Sequence, residues 1–81
     1  MSDRAERFAE NVRRLRRRAG LSVQELADRA AVNRTYIGRI EGARSEPRLW
    51  TLVRLVGALG ATPDEILDGI EWRPGGEEER P

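Results

Sequence analysis

Apolar residues in this chain recur three and four positions apart in five blocks, each closed by Gly, Pro or a polar cluster. That period predicts helices. From Asp3 to Ala19, the residues Phe8, Val12, Leu15 and Ala19 follow at spacings of four, three and four, which places them on one stripe. Gly20 stands where the helix can stop in a left-handed conformation. Ser22 followed by Glu25 fits a capping box, in which the Ser oxygen accepts from a backbone N–H three residues on and the Glu reaches back to the N–H of Ser22. Behind this start Leu26 and Ala27 turn inward. The period breaks at Ala30-Ala31-Val32 and resumes after Asn33, a favoured N-cap. Ile37 and Ile40, three apart, then share the buried side, leaving Arg34, Thr35, Gly38 and Arg39 outward or on the flanks.

Gly42 to Pro47 reads as a loop, since Pro47 discourages helix at Glu46. Leu49, Leu52, Val53, Val56 and Leu59 form a further stripe, broadened by Leu55 and stopped at Gly60. Thr62-Pro63-Asp64-Glu65 supplies a cap, a Pro at the first turn and an acid for a second capping box, and Ile66, Leu67 and Ile70 give the last helix its apolar side. The final EWRPGGEEERP is rich in Pro, Gly and Glu, and disorder is expected there. No internal repeat is present. The expectation is an all-α, compact five-helix domain over residues 1–70, with a motif at 22–41 and a flexible acidic tail at 71–81. Eighty-one residues leave room for one domain and one small core.

His and Cys are absent, which removes disulfides, zinc sites built from those ligands, the usual general base and the thiol nucleophile. Asp, Glu or Ser catalysis needs a supporting constellation and none is visible, so an enzyme is set aside. The lack of Cys, of a long apolar run and of a signal-peptide core predicts a soluble cytoplasmic protein with no membrane partner. Neither a cofactor nor a small-molecule ligand is suggested.

Charge changes the picture more. Residues 11–54 hold 11 Arg against four acids, a net of +7, whereas residues 1–10 carry −1 and residues 64–81 carry −5. A basic middle beside an acidic end suits either a phosphate-binding surface or a merely solvated one. Arg13, Arg14, Arg16, Arg17 and Arg18 complement the dipole of the first helix, and one or two can also touch phosphate. The cationic side of residues 33–41, held up by a neighbouring helix, matches the major groove of DNA.

Gly20-Leu21-Ser22, Glu25-Leu26-Ala27, Val32-Asn33-Arg34-Thr35-Tyr36-Ile37 and Ile40-Glu41, with the Leu-rich fourth helix, resemble the helix-turn-helix family of the phage lambda repressor and Cro over roughly residues 8–70. Within it, Asn-Arg-Thr-Tyr-Ile is similar to the controller proteins of restriction–modification systems, small dimeric transcriptional regulators. The resemblance implies a lambda-repressor-like fold and, as partners, double-stranded DNA with a palindromic operator, a second copy of the chain and RNA polymerase. Three departures limit the transfer. Arg39 stands where controller proteins carry a small or acidic residue, Val23 where many relatives carry Gln, and Ala31 where Gly or Asn is usual because φ is often positive.

Candidate base contacts are Arg34, Thr35 and Arg39. A guanidinium at Arg34 can fork to O6 and N7 of guanine or clamp a phosphate, and its place at the start of the recognition helix favours the base. Candidate backbone contacts are Ser22, Val23 (through its N–H), Gln24, Asn33, Tyr36, Arg44 and Arg48. Tyr36 suits phosphate contact or half-buried packing equally. The resemblance also implies an ion pair between Arg16 and Glu41. For a dimer interface, Ile66, Leu67, Ile70 and Trp72 supply apolar surface. Trp50 either closes the core or joins that interface, and Ile66 and Leu67 fit core equally well. Two functions remain open: a dimeric transcriptional regulator, and an antitoxin-like protein-interaction module with DNA binding secondary.

Overall fold

The first apolar stripe winds into α1 (Asp3–Arg18). In the computed structural model, which describes residues 3–75, α2 (Val23–Ala30), α3 (Arg34–Glu41), α4 (Leu49–Leu59) and α5 (Pro63–Ile66) follow. Among the described residues there are five helices and no strand. Phe8, Val12 and Leu15 of α1 meet Leu26, Ala27 and Ala30 of α2, Ile37 and Ile40 of α3, Leu55 and Leu59 of α4, and Ile66 of α5 in one core. Helix α3 lies on α1 and α2, α4 packs on α2, and α5 on α1. Each fully buried Leu or Ile contributes about 1.5–3 kcal/mol by leaving water, so α3 is held to its base largely through Ile37 and Ile40.

Four helices end in one way. At each end two N–H groups fold back: Gly20 N to Arg17 O (3.0 Å) and Leu21 N to Arg16 O (3.1 Å) after α1, Ala31 N to Asp28 O (3.2 Å) and Val32 N to Ala27 O (2.9 Å) after α2. After α3 the pair is Ala43 N to Ile40 O (3.1 Å) and Arg44 N to Arg39 O (2.8 Å), and after α4 Gly60 N to Gly57 O (3.2 Å) and Ala61 N to Val56 O (3.1 Å). This is the Schellman pattern, which needs a left-handed residue. Gly20 and Gly60 supply it without strain, whereas Ala31 (φ 56°) and Ala43 (φ 60°) place a Cβ against the following carbonyl. Both strained ends belong to the helix pair α2–α3.

The packing departs from the expected stripes in three places. Ala19 lies past the end of α1 and is exposed, while Ala9 and Asn11 are buried in its stead. The Asn11 amide is satisfied there: Nδ2 donates to the carbonyls of Ile66 (3.0 Å) and Asp68 (2.9 Å), and Oδ1 accepts from Arg14 Nη1 (3.0 Å). On α4 the inward side is Leu55 and Leu59, flanked by half-buried Leu52 and Val56, while Leu49 and Val53 face solvent. Since α4 is apolar nearly all round, two stripes compete, and packing on α2 selects the one through Leu55. Finally, α5 is only four residues long. Ile66 is fully buried, Leu67 is exposed, and Ile70 packs half-buried after the helix has ended. The helical bonding ends where Asp68 N turns to Glu65 O (3.3 Å) and Ile70 N to Leu67 O (2.9 Å). Residues 71–75 form no helix or strand, and 76–81, most of the expected tail, lie outside the described residues. Among the described residues no helix is long and apolar enough to cross a membrane.

The start of α5 is capped reciprocally, with Glu65 N donating to Thr62 Oγ1 (3.1 Å) and Thr62 N to Glu65 Oε1 (3.0 Å). Arg18 adds a fork to the same carboxylate at 2.7 and 3.2 Å. Chiefly through that fork, and then through the Thr62 N–H, the Glu65 carboxyl falls from 4.5 to about 2.

Ala31→Gly removes a left-handed penalty of about 1–2 kcal/mol while returning roughly 0.5–1 kcal/mol of unfolded-chain freedom. It is expected to raise the urea midpoint by a net gain of about 0.5–1 kcal/mol; a lower midpoint contradicts the strain. Because Glu65 binds its proton less readily when folded, its contribution is complete above pH 4.5 and is lost as pH falls through about 2. The difference in thermal midpoint between wild type and Glu65→Gln should therefore shrink over that window, and a pH-independent difference excludes the linkage.

Candidate nucleic-acid interface

Local chemistry sets the start of each helix of the α2–α3 pair. Ser22 and Glu25 form a capping box, Glu25 N donating to Ser22 Oγ (3.0 Å) and Ser22 N to Glu25 Oε1 (2.8 Å). The bond from the Ser22 N–H is the main reason that the Glu25 carboxyl lies below its ordinary value. Asn33 Oδ1 accepts from Thr35 N (2.7 Å) and opens α3. Counted at about 100° per residue, the midpoint of Ile37 and Ile40 faces the core and Thr35 stands opposite. On the same count Gly38 and Arg39 lie about 50° to either side of that outward pole and Arg34 about 90° round. All four outward residues are exposed, and a Cβ built at Gly38 meets nothing.

The C-terminal end of α3 is fastened to α1. Arg16 Nε and Nη2 donate to Glu41 Oε2 (2.7 Å) and Oε1 (3.0 Å), and Arg16 Nη1 to the Leu21 carbonyl (3.0 Å). The two side chains are 14% and 9% exposed, so the pair is nearly dry. The bonds that Arg16 donates to the Glu41 carboxylate raise its pKa against the opposing effect of burial. Arg13 Nη1 also donates to the main-chain carbonyl of Glu41. The one carboxylate on α3 is thereby bound on the inner side, and the outward arc keeps only its cations.

The other candidates divide by what already occupies them. Among the described residues Arg34, Arg44 and Arg48 have no hydrogen-bond or ion-pair partner, and all three are exposed. Arg39 Nε donates to Ser45 Oγ (2.9 Å). The loop residue Ser45 carried no signal in the sequence, because the bond depends on how residues 42–46 fold back over α3. Tyr36 is half-buried against the core, with its hydroxyl 3.4 Å from the Glu46 carbonyl. Gln24 Nε2 bonds Asp28 Oδ1 (2.9 Å), and Val23 packs at the edge of the core with its N–H at the first turn of α2.

Among the apolar candidates Ile66 is corrected: it is wholly inside the core and offers no surface to a second copy. Ile70 packs half-buried against the core. Leu67 (39%), Trp72 (61%) and Trp50 (63%) are exposed, so Trp50 does not close the core. Leu49 and Val53, missed as surface residues, stand on the same outer side of α4 as Trp50. The Arg54 guanidinium lies 5.8 Å from the Trp50 ring centre and donates to the Ala31 carbonyl (3.1 Å), tying α4 to the end of α2.

A capped helix, a left-handed turn and a second helix presenting a cationic face define a helix-turn-helix. Residues 7–68 match the helix-turn-helix domain family, and the chain belongs to it. Among its relatives, the control protein C.SmaI of Serratia marcescens is 38% identical over 65 residues, covering 80% of this chain and 77% of that protein. The HTH-type transcriptional regulator DdrOP3 of Deinococcus deserti is 32% identical over 66 residues; the match takes 82% of this chain but about half, 51%, of that protein. The crystal structure of the restriction-modification controller protein C.AhdI from Aeromonas hydrophila superposes with a TM-score of 0.74 at 31% identity, covering 76% of this chain and 94% of that one.

Glu41→Gln preserves the shape of the Arg16 partner but leaves a nearly buried guanidinium without its counter-charge. Breaking such a pair from one side costs about 3–5 kcal/mol. Since Gln still accepts one bond, a loss near 3 kcal/mol is expected in urea unfolding, and equal midpoints for variant and wild type contradict it.

Proposed function

We propose that this chain is a transcriptional regulator that binds double-stranded DNA sequence-specifically as a homodimer, with α3 in the major groove. The observation that carries this is the outward arc of α3. Arg34, Thr35, Gly38 and Arg39 are exposed together on a helix whose opposite side is buried. The major groove, about 12 Å wide, admits one such helix. Arg34, Thr35 and Arg39 meet base edges. Gly38, with no side chain, lets the helix approach closely. Phosphates are met by Arg44 and Arg48, by the first turn of α2 through Ser22, Val23 and Gln24, and by Asn33 and Tyr36 at the start of α3.

One recognition helix covers few base pairs, so useful specificity calls for two half-sites about 34–36 Å apart and a two-fold protein to match. The second copy covers exposed apolar surface, with Trp50, Leu67 and Trp72 joined by Leu49 and Val53. Residues 1–70 form the DNA-binding domain, residues 71–81 an acidic tail, and the setting is the cytoplasm, where RNA polymerase is the further partner. The likeness to C.SmaI and C.AhdI supports control of restriction–modification genes, although with Arg39 in place of a small or acidic residue the operator need not be theirs.

Wild type is expected to bind its upstream DNA with an affinity that falls steeply with salt and exceeds that for random duplex by orders of magnitude. Arg34→Ala should relax base choice, while Arg48→Ala weakens every sequence alike and lowers the salt slope by about 1. Competition binding against a randomised duplex checks both. Equal affinity for operator and random DNA would sink this reading and favour an antitoxin-like interaction module.

A further inference from the structure

We infer that Ser45 is a positioning residue for base recognition, holding the Arg39 guanidinium as a preset fork for guanine; this rests on the DNA-binding reading above. Arginine has five N–H donors in one plane. Arg39 commits the donor nearest its stem, Nε–H, to Ser45 Oγ at 2.9 Å. The Nη1 and Nη2 ends remain for a ligand, and these two can donate side by side to O6 and N7 of guanine. Arg39 also stands about 50° from the outward pole of α3, closer to it than Arg34 at about 90°. Of the two outward arginines, Arg39 alone has a protein partner on its guanidinium among the described residues.

The hydroxyl is itself held. The loop that carries Ser45 is folded onto α3 by Ala43 N to Ile40 O and Arg44 N to Arg39 O. On the far side of Ser45, Glu46 is tied through its carboxylate to Arg4 Nε (2.8 Å), and its carbonyl lies by the Tyr36 hydroxyl. Ser45 is half-buried between these attachments. A free arginine loses rotamer freedom when it binds a base, a loss of roughly three- to tenfold in affinity for one long side chain. Holding Nε in the unbound protein removes part of that loss for Arg39, whereas Arg34 bears it in full. Specificity at the base pair under Arg39 therefore depends on a residue that touches no base.

The test uses the full chain and an operator selected from random DNA by wild type, with binding measured to that site, to each single base-pair variant and to a random duplex. Arg39→Ala should lose preference for guanine at one position in each half-site by about tenfold. Arg39→Lys, which can still donate to guanine but has no Nε for Ser45, should lose it in part while keeping the affinity for random duplex. Ser45→Ala should lose preference at that same position by roughly three- to tenfold, with the salt slope, the random-duplex affinity and the thermal midpoint unchanged. Ser45→Thr, which keeps the hydroxyl, should restore it, and Ser45→Ala should add nothing to Arg39→Ala. The inference is overturned if Ser45→Ala matches wild type at every position, weakens random duplex equally, or adds independently to Arg39→Ala. Wild type that discriminates while Arg39→Ala keeps every preference removes this inference alone. A wild type with no preference removes the functional reading as well.

Discussion

One guanidinium ties three parts of this chain together. Arg16, near the end of α1, forks to the Glu41 carboxylate at the end of α3 and gives its remaining terminal donor to the Leu21 carbonyl in the α1–α2 turn. Its own carbonyl accepts from Leu21 N, so turn and side chain brace each other. Burial through Ile37 and Ile40 presses α3 onto the core, but apolar contact has no direction. A planar two-bond fork has one, and it fixes the C-terminal end of α3 against the end of α1. The same contact draws the lone carboxylate of α3 inward, and the positive potential of its outer face follows from that.

Around this anchor the fold is built from local closures. Each of the first four helices ends by folding two N–H groups back over a left-handed residue. Where Gly supplies that residue, as at Gly20 and Gly60, the turn is relaxed. Where Ala supplies it, at Ala31 and Ala43, strain accumulates on both sides of α3. The arrangement persists because tertiary contacts over-determine it: Arg54 holds the Ala31 carbonyl, and Arg4 holds the loop beyond Ala43 through Glu46. The outward residues of α3 thus sit between two turns held in the left-handed conformation at Ala31 and Ala43.

Charge is arranged by the same economy of contacts. α1 has acids near its start and Arg16, Arg17 and Arg18 in its last turn, in keeping with its dipole. Two members of that arginine run are used inside the protein, Arg16 on Glu41 and Arg18 on Glu65. Among the described residues Arg34, Arg44 and Arg48, on α3 and in the loop beyond it, have no hydrogen-bond or ion-pair partner, and neither have the exposed Arg17 of α1 and Arg29 of α2.

Helix starts and stops were legible in the residues themselves, because a capping box or a left-handed Gly acts over three or four positions and needs no distant partner. Ser22 with Glu25, Thr62 with Glu65, Asn33, Gly20 and Gly60 all act where they stand in the chain. The outward face of α3 was equally plain, since Ile37 and Ile40 are its only aliphatic branched residues and leave one orientation. Tertiary structure alone decided the rest. Leu49, Trp50 and Val53 face solvent because α4 is apolar on nearly every side, and a helix of that kind has no preferred rotation until a neighbour covers part of it. Asn11 is buried because its amide on α1 meets the Ile66 carbonyl at the end of α5, 55 positions away, and the Asp68 carbonyl just beyond it. Arg39 reached Ser45 only once the loop had closed. Periodicity and caps are properties of neighbours in the chain; these last contacts are properties of neighbours in space.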